Sequence, residues 1–76
     1  MDKFTLKHYK NKFWDIADLF KNDLLIAKIN KFYEVTEDWI FIFETEGGSG
    51  TGFYKGEVVR KIYIGDSEFE KIEVKD

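Results

Sequence analysis

Five large apolar residues stand in a row at Trp39-Ile40-Phe41-Ile42-Phe43, and this run constrains the fold more than any other stretch of the chain. A strand with one face in water alternates apolar and polar residues, so an unbroken apolar run predicts burial on both faces. In a chain of 76 residues the second face needs a helix or another molecule to cover it. The run belongs to a wider excess of rings, eight Phe, four Tyr and two Trp, in a chain without cysteine or proline.

That length predicts a single domain spanning 1–76. A chain of this size buries only about 60–65% of its unfolded surface, and small domains make up the shortfall with disulfides, a metal or an oligomeric contact. Disulfides are excluded without cysteine, and a structural zinc site has one imidazole, His8, and no thiolate to draw on. Ring packing and self-association as a homodimer remain. Met1–Lys12 is polar and basic rather than a signal peptide, and no segment approaches the apolar length of a membrane span. The expectation is a soluble cytoplasmic protein that makes no membrane contact.

Thr5 reads as an N-cap. After it Leu6, Tyr9, Phe13, Ile16, Ala17 and Phe20 recur at three- and four-residue spacing, one stripe of an amphipathic helix over about 5–21. Asn22-Asp23 then reads as its stop, because Asn tolerates the left-handed conformation of a C-terminal cap. Leu24–Val35 fits either period and is read as a strand, turning at Thr36-Glu37-Asp38 into the strand Trp39–Thr45. A glycine-rich connection follows over 46–52, then apolar character from Phe53 to Ile64, a turn at Gly65-Asp66-Ser67, and a charged edge strand carrying Phe69, Ile72 and Val74. The fold class expected is α+β, an N-terminal amphipathic helix packed on a curved antiparallel sheet of four to five strands over about 24–75.

Trp39–Phe43, the glycine turn, and Phe53-Tyr-Lys-Gly-Glu-Val-Val-Arg-Lys-Ile-Tyr-Ile64 together resemble the later strands of SH3-like and Sm-like small barrels. Those barrels often carry a short Glu-Val-Val type of turn before their last strand. The resemblance covers about a third of the chain and implies a small barrel; it names no activity, since such barrels host many.

Chemistry-bearing motifs are sparse. A phosphate-binding loop needs Lys-Ser/Thr after its last glycine, and Phe53-Tyr54 follow Gly52 here. Gly48-Ser-Gly50-Thr-Gly52 also lacks dinucleotide spacing and leads toward a strand, so it reads as a hairpin connection. His8 lies beside Lys7 and Lys10 with no nucleophile near it in sequence, which reads as a solvated face. Asp15 and Asp18, or Glu37 and Asp38, fall short of the oxygen set of a hard-cation site. No enzyme, metal or cofactor is expected.

Charge separates the remaining readings. Residues 1–12 carry Lys3, Lys7, Lys10 and Lys12 against Asp2, whereas Glu34, Glu37, Asp38, Glu44 and Glu46 fall in a stretch without Lys or Arg. With Trp39 and Phe41, those five carboxylates form an expected partner-binding surface, an aromatic anchor with a charged rim. The complementary partner would be a basic, nucleic-acid-handling protein. The function expected is a protein-binding module, an inhibitor or adaptor of the kind phages and mobile elements of AT-rich bacteria carry, an association by composition alone. The alternative is a nucleic-acid-binding protein that uses the four N-terminal lysines with Phe4, Tyr9 and Trp14 as stacking rings.

Overall fold

The structure is a computed structural model that describes residues 1–10, 15–30, 32–48 and 52–75. Seven strands run through them: β1 (Lys3–Lys10), β2 (Asp15–Lys21), β3 (Leu24–Asn30), β4 (Tyr33–Val35), β5 (Trp39–Gly48), β6 (Gly52–Tyr63) and β7 (Glu68–Lys75). They form a four-stranded sheet in the order β3-β2-β1-β7 and a three-stranded sheet in the order β4-β5-β6. No helix occurs among the described residues. The expected α+β fold, a helix over 5–21 on one sheet, is therefore replaced by an all-β fold of two sheets.

The physical reason lies in Lys3-Phe4-Thr5-Leu6-Lys7, which alternates as strictly as any strand. Phe4 and Leu6 are buried while Thr5 and Lys7 face outward. The supposed helical stripe is divided between faces. Leu6 and Ala17 point into the core, whereas Ile16 lies on the outer face and is exposed. Phe13, a member of that stripe, and Trp14 lie outside the described residues.

Asn22 and Asp23, read above as a helix stop, are the two-residue loop of the β2–β3 hairpin. Both adopt positive φ, 51° and 68°, and Lys21 pairs with Leu24. That is the conformation a tight hairpin turn demands and which Asn and Asp tolerate. The tolerance was legible; its use was not. The Asn22 side chain also ties down the N-terminus. Its Oδ1 accepts from Lys3 N at 2.9 Å and its Nδ2 donates to Asp2 Oδ1 at 3.0 Å.

Within 24–35, read as a strand, Leu24–Asn30 and Tyr33–Val35 are strands, but they do not form one strand pairing with β5. Leu24–Asn30 pairs with β2, and only Tyr33–Val35 pairs with β5. The expected antiparallel sheet also contains one parallel pair, because β7 runs alongside β1 from Lys3–Glu68 to Lys10–Lys75. The barrel implied by the resemblance is not formed. Glu57-Val58-Val59 lies within β6, at a register irregularity, and not at a turn before the last strand.

The two sheets pack face to face over one core: Phe4, Leu6, Ala17, Leu19, Ala27 and Ile29 from the larger sheet, Ile40 from β5 and Ile64 just beyond β6. Ile42, Ile62, Tyr33 and Phe69 pack around it. Arg60 crosses between the sheets, its Nη1 donating to Ile26 O at 3.0 Å.

Candidate functional site: an aromatic sheet face with a charged rim

The apolar run in β5 meets the core on one side only. Ile40 is fully buried and Ile42 half-buried, while Trp39, Phe41 and Phe43 alternate onto the outer face of the three-stranded sheet. Burial of both faces, the expectation from the run, is not what this strand does. Among the described residues no other strand lies over these rings, which pack on one another. Trp39 and Phe41 stack with centroids 6.4 Å apart, and Tyr63, opposite Trp39 on β6, meets the indole edge-on at 5.1 Å. Trp39 remains 36% exposed and Tyr63 52%. A cluster of large rings left in water is the form in which a binding surface usually shows itself.

Charged side chains border the rings on several sides. Lys61 Nζ lies 5.6 Å from the Trp39 ring, and Lys55 Nζ sits 4.5 Å from the Phe43 centroid while pairing with Glu34 at 3.3 Å. Glu37 and Asp38 form the exposed tip of the β4–β5 turn. That turn is held by Thr36 N donating to Trp39 O at 2.8 Å and Trp39 N donating to Thr36 Oγ1 at 3.0 Å. The Asp38 carbonyl accepts from Ile64 N at 2.7 Å and Gly65 N at 3.2 Å, which fixes this acidic tip against the β6–β7 turn.

The structure thus brings together Glu34, Glu37, Asp38, Trp39 and Phe41 of the expected partner-binding set. Glu44 is exposed farther along β5, toward the hairpin's glycine end. Glu46 pairs with Tyr54 through the backbone, and its side chain lies outside the described residues. The rim is mixed in charge where the sequence promised an acidic one, because β6 supplies Lys55 and Lys61. Tyr63 and these lysines were missed. The β5–β6 pairing signalled them in outline, but its two register irregularities hid which residues face each other.

Of the four lysines of the alternative reading, Lys3 and Lys7 stand on a strand and not on a helix. Lys3 and Lys7 lie on the outer face of the four-stranded sheet, where Lys3 pairs with Glu70 at 3.9 Å and Lys7 sits 5.2 Å from the Phe20 ring. The side chain of Lys10, and Lys12 and Trp14 entirely, lie outside the described residues, as does the centre of the glycine run at 49–51.

His8 does not sit on a solvated helix face. It is half-buried on the inner side of β1, its Nδ1 2.5 Å from the Tyr33 hydroxyl of β4, so the pair bridges the two sheets. Lys71 from β7 places its ammonium 5.8 Å from the Tyr33 ring and 3.5 Å from Glu73. Burial opposes the charge on Lys71, but Tyr33 and Glu73 outweigh it and its pKa is raised. Among the described residues no group of three or more His, Asp or Glu side chains is placed to hold a metal. No helix among them is long and apolar enough to cross a membrane.

No family model, curated protein or solved structure matches this chain.

Proposed function

We propose that this chain is a non-enzymatic protein-binding module that docks a partner on the outer face of its three-stranded sheet, acting as an inhibitor or adaptor by occupying the partner's working surface. The observation that carries the reading is the Tyr63–Trp39–Phe41 cluster, in which Trp39 contacts both other rings while it and Tyr63 stay exposed. Rings of this kind at the centre of a patch, with charged groups around them, are the usual seat of interface energy. The charges around this cluster are Glu34, Lys55, Lys61, Glu37 and Asp38.

The test is affinity capture from lysate of the native host, with and without nuclease, using the wild-type chain and Trp39→Ala. One stoichiometric protein should survive nuclease. Trp39→Ala should weaken its binding by about 2 kcal/mol or more, roughly 30-fold. Capture that disappears with nuclease, or that ignores Trp39, would contradict the reading.

A further inference from the structure

Across the outer face of the three-stranded sheet, charge is sorted by strand. Glu34 on β4 stands opposite Phe41 on β5, and Phe41 in turn stands opposite Lys61 on β6. The carboxylate and the ammonium therefore belong to one row, one strand away on either side of the ring. Both residues are exposed. Lys55 engages Glu34 through Oε1 at 3.3 Å, and Lys61 lies 5.6 Å from the Trp39 ring. Among the described residues, neither Glu34 Oε2 nor the Lys61 ammonium has an ion-pair partner.

A row ordered carboxylate, ring, ammonium is complementary to itself. A two-fold axis running parallel to β5 above Phe41 lays β4 of a second copy over β6 of the first. Glu34 of each copy then faces Lys61 of the other, once on each side of the paired rings. A two-fold axis running across the strands would instead lay β4 on β4 and β6 on β6, setting like charges together. Charge selects the first arrangement. It also keeps the strands of the two copies aligned, as sheets packed face to face commonly are, and gives the closed symmetry usual for a dimer.

The size of the face sets the strength of such a pair. Three strands about 4.8 Å apart, over the length of Trp39–Phe43 at about 3.4 Å per residue, present roughly 250 Å². A stable complex buries about 800 Å² on each partner. The pair is therefore weak and forms only as the chain becomes concentrated.

We propose that the free chain pairs weakly with a second copy of itself through this face, Glu34 of each copy against Lys61 of the other. The proposal rests on the protein-binding reading of the same rings and adds a regulation to it. A second copy and a protein partner take the same surface in turn, so pairing and partner binding exclude each other.

Sedimentation equilibrium of the chain alone, from about 10 μM to about 1 mM, tests it. The weight-average mass should climb toward that of two chains across this range. Trp39→Ala should weaken the pairing by about tenfold or more. Glu34→Gln and Lys61→Gln should each weaken it by about fivefold, because the two-fold axis repeats the exposed ion pair. The double variant should be no weaker than either single one, since the second change removes a contact already lost. Backbone amide shifts of Leu6, Leu19 and Ile40 show that each variant stays folded. A chain that remains monomeric up to about 1 mM, or a pairing that ignores Trp39, would overturn the proposal. So would losses that multiply to about 25-fold in the double variant, because the two side chains would then act apart. A monomer that still captures one protein through Trp39 would overturn self-pairing alone and leave the protein-binding reading standing. Loss of both would bring down both.

Discussion

Leu6, Leu19 and Ile40 lose all contact with solvent, and Ile40 is the residue through which the smaller sheet reaches the core of the larger one. Leu19→Ala should destabilise the fold by about 2–5 kcal/mol and Ile40→Val by about 0.5–1.5 kcal/mol, read by denaturant titration. The His8–Tyr33 contact is the polar counterpart of that bridge. A double-mutant cycle with His8→Phe and Tyr33→Phe should return a coupling of about 1 kcal/mol, and a coupling near zero would show that the hydrogen bond does not hold the sheets. At Asp2 the Asn22 amide, aided by the charge of Lys21, holds the carboxyl pKa below its ordinary 3.8. A lowered folded-state pKa stabilises above the unfolded value and loses that contribution as pH falls through the folded one. The stability difference between wild type and Asp2→Asn should therefore be full near neutral pH and shrink toward acid. The turn at this scale was legible: Glu34 stands opposite Phe41, with Glu37 and Asp38 in the turn between their strands. His8 was not, because its partner Tyr33 lies 25 residues away in sequence and nothing local announces it.

At the scale of elements, the strands from β5 onward were legible and the first two were not. Residues 5–21 satisfy both a helical and an alternating period, and local pattern cannot choose between them. The choice is made by pairing: β1 lies between β2 and β7, so its backbone groups have partners on both sides. A helix over 5–21 would have replaced both β1 and β2 and left β3 and β7 without the strands that join them. Asp23→Gly tests the hairpin that replaces the helix stop. It should leave stability unchanged or slightly raised, because glycine adopts positive φ freely, whereas Asp23→Val should cost about 1 kcal/mol or more in the same titration. The β5–β6 hairpin shows a second limit. Counting outward from the Gly48–Gly52 pair places Lys61 opposite Trp39, but the irregularities near Phe43 shift the register and place Tyr63 there. Bulges insert residues without an obvious signature, so the ring that completes the aromatic cluster could not be read from spacing.

For the whole molecule, the long hairpin dominates the shape. The principal extents are 46 × 29 × 18 Å and the radius of gyration is 13.1 Å, above the about 11 Å of a compact chain this long. The same topology gathers the acidic turns at one end and leaves the aromatic face uncovered along one side. Both depend on the N-terminal segment being strand, since β1 sets Asp2 beside the Asn22 turn and anchors β7 through Glu68 N donating to Asp2 O at 2.9 Å. The most direct measurement is therefore a through-space proton–proton (NOE) spectrum of the isotopically labelled chain. Contacts along the parallel ladder, Phe4 with Phe69 and Lys7 with Ile72, together with antiparallel contacts between Leu6 and Leu19, are the predicted result. Successive contacts three residues apart across residues 5–21, the mark of a helix, would contradict the fold and with it the surface from which the function is read.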